Sequence, residues 1–273
     1  VVPKDVPPGR LILDPSEQHR DFYTAVEEDD GHYLLRFFAG CDVRIAPDLS
    51  SAVQHRAPDA DNGFIDVLLA GTFLAFLIAM RGTCVLHASA VEVDGQALAF
   101  VGHSGMGKST LAVASCAAGA NLIAEDIVSV TTDGPPHCLP GNTDIRLRKG
   151  SVSLLDRMQG AERLVTPDGR DGIRPPLSGD DPIPLHTLVI PHPSRKATEL
   201  TFEQMSPVNA LFRLMNFPRL NGLIEPSVVR EQFQGTGEIA RQIPVLVATV
   251  PWGPPFQPDL GERLLALLET SRP

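Results

Sequence analysis

Residues 97–130 constrain this chain more than any other stretch. An apolar segment, "QALAFVG", runs into the glycine-rich "GHSGMGKST". An Ala-rich segment with helical spacing follows, "KSTLAVASCAAGA", in which Gly119 is placed to end the helix. Next comes the apolar "NLIAEDIVSV". The order is strand, glycine loop, helix, strand. Gly-x-x-x-x-Gly-Lys-Ser in that setting lets successive N–H groups curl around phosphate oxygens at a helix N-terminus. Gly102, Ser104, Gly105, Met106, Gly107, Lys108, Ser109 and Thr110 are the expected phosphate-binding residues. Lys108 is placed to reach the β- and γ-phosphates, and the Ser109 hydroxyl to hold Mg²⁺.

Two flanking segments add chemistry. In "NLIAEDIVSV", Glu125 and Asp126 end an apolar run that we expect to lie parallel and next to the strand before the loop. Strand C-termini face the ligand crevice in α/β sheets, where a carboxylate can hold Mg²⁺ or take a proton from an attacking hydroxyl. Adjacent strand residues point to opposite faces, so both serve one site only if the strand ends or bends there. In "CVLHASAVEV", His87 lies in an apolar strand that the Asp94-Gly95 turn pairs with the strand before the loop.

Around this segment the pattern is mixed. Residues 1–20 are Pro-rich and read as an extended arm without an export signal. "HYLLRFFAG" and "CDVRIAPD" read as strands joined at a glycine, and the Asp/Asn/Gly cluster of "RAPDADNG" starts an apolar helix, "VLLAGTFLAFLIAM". That run is shorter than a membrane span needs and is expected to be a buried core helix. "TDIRLRKG", "LHTLVI" and "TELTFEQM" read as strands, "PVNALFRLMNF" and "LGERLLALLETS" as helices, and 159–184 as the least structured part. Cys41, Cys84, Cys116 and Cys138 are scattered, which suits free thiols in a reducing cytoplasm. The net charge of −10 argues against a nucleic-acid surface.

"LHASAV", "GHSGMGKST" and "AEDIV" together resemble the HPr kinase family, serine kinases whose core is related to phosphoenolpyruvate carboxykinase. The resemblance covers residues 83–150 best. It implies an α/β fold, a P-loop kinase core of that type (83–273), behind a small N-terminal α+β lobe (1–82). That lobe is more like those of shortened HPr-kinase-like proteins found with peptide natural-product clusters, including lasso-peptide kinases. The cofactors implied are ATP and Mg²⁺. The implied catalytic residues are Lys108, Asp126 as general base and His87 near the transferring phosphate. The family's Glu-x-Arg strand is matched by Asp144 and Arg146, which makes Asp144 a metal ligand beside Ser109 and Glu125, and Arg146 a source of positive charge. The sequence departs from the family at Glu125, where the bifunctional enzymes have Asp, and at Ala88, where Gly is usual. Its late catalytic arginine has no counterpart, since Arg170 and Arg174 lie without matching context.

The expected activity is Mg²⁺-dependent transfer of the ATP γ-phosphate to a hydroxyl, a Ser of a peptide such as a lasso precursor. An HPr-type carrier protein is the alternative acceptor, and a non-catalytic nucleotide-binding regulator the alternative role. No nucleic-acid or membrane partner is expected, and a homo-oligomer is an open option. A transporter ATPase needs a signature segment between its nucleotide motifs, and only one helix separates Thr110 from Asp126. A GTPase needs Asn-Lys-x-Asp, which is absent.

Overall fold

The computed structural model describes residues 5–14, 23–146, 154, 158, 161–167, 171–251 and 253–269. Arg170, residues 1–4 and 15–20 of the expected arm, residues 147–150 of the expected strand and the end of the last expected helix lie outside them. The chain is a mixed α/β protein with several sheets, and it divides into two compact units. Unit 1 comprises residues 1–83 and 219–233; unit 2 comprises 84–218 and 234–273. Residues 219–233 therefore fall outside the single 83–273 domain expected from the sequence.

Unit 1 is an antiparallel meander. Strands β1 (Arg10–Leu13), β2 (Tyr23–Glu27), β3 (Tyr33–Phe37), β4 (Cys41–Ile45) and β5 (Ala52–Arg56) pair in chain order. Part of the expected extended arm is thus a strand, because β1 has β2 to pair with. Residues 219–233 join this unit through β1: Asp14 N–H donates to the Gly222 carbonyl and Ile224 N–H to the Ile12 carbonyl. Inside the sheet the Arg36 guanidinium makes two parallel hydrogen bonds to Asp42, at 2.9 and 2.8 Å.

The apolar run then forms α1 (Asn62–Leu68), a π-helical stretch over Leu69–Phe73, and α2 (Leu74–Met80). Asp61 starts it by accepting a hydrogen bond from Phe64 N–H. The expectation of a buried core helix is corrected here. The helix is 19 residues long, apolar enough to cross a membrane, and only 33% buried.

Unit 2 is built on a nine-stranded sheet. Its strands are β6 (Cys84–Leu86), β7 (Ala88–Val93), β8 (Gln96–Val101), β9 (Asn121–Glu125), β10 (Val128–Thr131), β11 (His137–Cys138), β15 (Ile183–Ser194), β16 (Thr201–Gln204) and β17 (Val245–Pro251). β7 and β8 form a hairpin whose turn residues, Asp94 and Gly95, both have positive φ, as a tight two-residue turn demands. β9 is not the neighbour of β8, contrary to the expectation. The returning hairpin strand β7 lies between them and pairs antiparallel with both, while the parallel partner of β8 is β15.

Alternation along the strands sends side chains to two cores. Leu98 and Phe100 pack with α3 (Lys108–Ala117) and α6 (Leu260–Leu265). Ala97, Ala99 and Val101 pack with α4 (Pro207–Leu214) and the C-terminal part of α5 (Pro226–Gln242). Helices thus cover both faces. Close approach sets two of these contacts. A Cβ at Gly261 would meet the Ala114 carbonyl at 2.1 Å, and one at Gly235 would meet the Cys84 Cβ at 2.8 Å. Residues 159–184 also need correction. Among those described, β14 (Asp171–Arg174) pairs antiparallel with both β13 (Glu162–Val165) and β12 (Ile145–Arg146) in a separate three-stranded sheet.

Candidate active site

The candidate site forms where two neighbouring strands break at the same level. The chain 84–93 is one strand interrupted at His87 alone, and 121–131 is one strand interrupted at Asp126 and Ile127. The pairing Leu86↔Val128 resumes as Ser89↔Glu125 beyond both breaks. Ile127 N–H donates back to the Glu125 carbonyl at 2.8 Å, closing a γ-turn centred on Asp126. Asp126 sits there at φ +68, a left-handed conformation uncommon outside glycine. This bend lets two consecutive carboxylates, Glu125 and Asp126, serve one site.

The glycine loop closes against the other break. Gly102 N–H donates to the His87 carbonyl at 3.3 Å, and Met106 N–H to the His103 carbonyl at 3.2 Å. The Met106 sulfur accepts from His103 N–H at 3.1 Å. Gly105 and Gly107 have φ of +89 and +97, which side chains resist, and Gly107 caps α3 directly before Lys108. Ser104 is exposed and Thr110 half-buried on the same turn and helix start.

Lys108 is 6% exposed. Its ammonium donates to the His103 carbonyl at 3.2 Å and lies 3.2 Å from His87 Nε2. The same His87 nitrogen lies 3.3 Å from the Asp126 carboxylate. One imidazole edge therefore stands between the buried cation and a carboxylate on a bent strand. His87 and Asp126 keep 20% and 22% of their side-chain surface in solvent, enough for a ligand to reach them.

Ser109, one residue into the helix, donates its hydroxyl proton to Glu125 Oε1. Glu125 is 6% exposed, and among the described residues its buried Oε2 meets no hydrogen-bond partner at bonding geometry, although the Ser89 hydroxyl is near enough to favour its charge. Burial pushes its carboxyl up to about 7, against the opposing pull of the Ser109 hydrogen bond. A buried carboxylate oxygen left unsatisfied beside a serine hydroxyl is a pair of hard oxygen donors of the kind Mg²⁺ takes.

The other two expected residues, Asp144 and Arg146, follow Asn142, whose carbonyl accepts from Glu125 N–H at 2.7 Å. Asp144 precedes β12 and is held by Arg174, with Nε at 2.9 Å and a terminal nitrogen at 2.7 Å. Arg174 also binds Glu162 at 2.8 Å. Arg146 lies on β12 opposite Gly172. Among the described residues no group of three His, Cys, Asp or Glu converges as a metal-ligand set. The structure brings together Lys108, Ser109, Glu125, Asp126 and His87. Asp144 and Arg146 belong to the three-stranded sheet and its approach.

Phe217 and Arg213 join this neighbourhood without any signal in the sequence. Phe217 packs edge-to-face on the His103 ring with centroids 4.8 Å apart, and Arg213 lies 5.4 Å over the Phe217 ring. "PVNALFRLMNF" was legible as a helix, but nothing in its spacing ties it to a loop more than a hundred residues upstream. All four cysteines are buried and free. Burial raises the Cys84 thiol to about 11 and those of Cys116 and Cys138 to about 12.

No protein-family model matches this chain, and no curated protein matches it. Among solved structures, the HPr(Ser) kinase/phosphatase from Coxiella burnetii aligns with 68% of this chain and 88% of its own, at 12% identity and a TM-score of 0.35.

Proposed function

We propose that this chain is an ATP-dependent kinase that phosphorylates a hydroxyl, with Asp126 as general base. One observation carries the reading. His87 Nε2 lies 3.2 Å from the Lys108 ammonium and 3.3 Å from the Asp126 carboxylate, which puts a phosphate-binding cation and a proton acceptor one imidazole apart. Phosphoryl transfer needs little else from a protein than positioning and charge neutralisation.

In this reading the loop amides from Gly102 to Gly107 and the start of α3 hold the phosphates. Lys108 leaves the His103 carbonyl and His87 for the β- and γ-phosphate oxygens. An acceptor hydroxyl at Asp126 gives up its proton to that carboxylate as its oxygen bonds to the γ-phosphorus. The bond to the β-phosphate bridging oxygen breaks, and ADP leaves. His87 aligns Asp126 and adds a donor near the transferred group. Mg²⁺, when bound, would be held by Ser109 and Glu125 and would neutralise phosphate charge.

The acceptor we propose is a serine of a peptide, with a lasso-type precursor as the specific candidate, on the strength of the motif resemblance. A carrier protein of HPr type is the competing acceptor. Asp144 favours a second reading, a nucleotide-binding regulator without transfer, because Arg174 engages the carboxylate that would complete the metal set.

The test is incubation of the protein with γ-labelled ATP, Mg²⁺ and either serine-bearing precursor peptides or HPr. Label on a peptide serine, lost in Asp126→Asn, is expected. Label on HPr alone would replace the peptide acceptor. ATP binding without transfer to either would leave the regulator reading, and no ATP binding would end both.

A further inference from the structure

A triphosphate brings several negative charges to a site that already holds Asp126 and Glu125, and Lys108 is its one buried cation among the described residues. Kinase sites supply further positive charge where the γ-phosphate transfers. The sequence-expected source, Arg146, lies on β12 of the three-stranded sheet.

The segment after α4 meets both chain stretches that carry the contacts of the Lys108 ammonium. Phe217, 3% exposed, touches the ring of His103, whose carbonyl receives the Lys108 ammonium. Pro218 bridges antiparallel to Leu86, the residue before His87, which is the other contact of that ammonium. Arg213 reaches this segment from the last turn of α4, its guanidinium carbon 5.4 Å from the centroid of the Phe217 ring. Among the described residues no carboxylate pairs with it, whereas six other arginines, Arg36 and Arg174 included, are each held by one. A cation–π contact uses no N–H hydrogen bond, so the guanidinium donors remain for phosphate oxygens.

We infer that Arg213 is the second cation of this phosphate site, binding the γ-phosphate from a platform formed by Phe217. The inference rests on the nucleotide-binding reading above and adds a residue to it. Phe217 acts as a positioning residue, since it fixes both the His103 side of the loop and the guanidinium. A basic residue in a last helical turn also serves the helix dipole, and that role makes no distinction between nucleotides.

The experiment is equilibrium binding of Mg·ATP and Mg·ADP to the full chain, by titration calorimetry, for wild type, Arg213→Ala, Arg213→Lys, Phe217→Leu and Lys108→Ala. Loss of a charge-assisted phosphate contact weakens binding by about tenfold or more. Arg213→Ala is expected to weaken ATP by that factor and ADP less than twofold. Arg213→Lys should recover part of the ATP preference, and Phe217→Leu should reduce it. An unchanged ATP-to-ADP ratio in Arg213→Ala, or equal weakening of both, overturns the inference. If Lys108→Ala alone loses ATP, the nucleotide reading stands and the Arg213 assignment falls. If wild type binds neither nucleotide, both fall. Thermal melting of each variant separates misfolding from lost binding, and Arg213→Lys keeps the comparison available if the alanine variant unfolds.

Discussion

The meander of unit 1 and the strand pair 84–93/121–131 of unit 2 are both antiparallel β-structure, yet one is regular and the other is broken. From β2 to β5 the register runs without a slip, and the buried arginine, Arg36, meets a matched carboxylate in a two-bond fork. The unit 2 pair interrupts both strands at one level and places a non-glycine residue at φ +68 in that break, whereas the positive φ of Leu49 in unit 1 sits in the turn between two strands. It also buries a lysine beside an imidazole and a carboxyl group with an unsatisfied oxygen. A fold that satisfied only itself would have no reason to keep these features. Local inconsistency of this kind concentrates at functional sites. The contrast separates residues that serve stability from residues that serve a ligand, and substitutions can test the separation.

Glu125 gives the largest expected stability effect. Its carboxyl ionises at about 7 in the folded chain instead of the ordinary 4.5, because burial disfavours the charge. Between those two values the folded state binds more protons than the unfolded one, so stability falls as pH rises through this window. Above it the full penalty, about 3 kcal/mol, is present. Glu125→Gln removes that penalty. Melting of the metal-free protein should therefore show a gain over wild type that is small at pH 5 and grows to pH 8. A gain that does not vary with pH would mean that Glu125 is not held uncharged.

Asp42→Ala should do the reverse. It strands the guanidinium of Arg36, at a cost of about 2 kcal/mol in denaturant unfolding. ATP affinity should stay within twofold of wild type. Loss of nucleotide affinity would blur the line between the two regions.

Asp126→Gly should give the smallest stability change, a gain of about 1 kcal/mol, because glycine adopts the left-handed region without strain. The same variant should lose transfer. A variant both less stable and fully active would remove Asp126 from the chemistry and leave it as a turn residue.

How much of this could be read in the sequence follows the range of the interactions involved. The loop, its helix and the hairpin at Asp94-Gly95 are short-range features, fixed by residue types at set spacings, and they were legible. The requirement that the strand bend at Glu125-Asp126 was legible too, since two adjacent carboxylates cannot otherwise serve one face. The γ-turn that provides the bend was not, because its hydrogen bond depends on backbone angles that no residue there signals. The place of β9 was misread because two strands that run the same way suggest neighbours, and nothing local says that a hairpin strand lies between them.

Helix α5 and strand β17 were missed for different reasons. "PSVVREQFQGTGEIARQ" carries two glycines and a polar excess, a poor helix by propensity. Gly235 is there because the helix packs too closely on Cys84 for a side chain, a tertiary demand that overrides the local one. β17 is a short apolar run whose identity depends on β15 as parallel partner, 57 residues away in register. Arg213 and Phe217 belong to the same class, since only the folded chain brings α4 to the loop.

If the two strand breaks form a phosphate-transfer site, Asp126 is its base. The most direct measurement compares wild type with Asp126→Asn for equilibrium ATP binding and for label transfer from γ-labelled ATP to a serine peptide. Asparagine keeps the size and tolerates the left-handed turn but cannot take the proton. Transfer in Asp126→Asn is expected to fall on the order of a thousandfold, with ATP affinity within about threefold of wild type. Transfer unchanged, or affinity and transfer lost together, would contradict it.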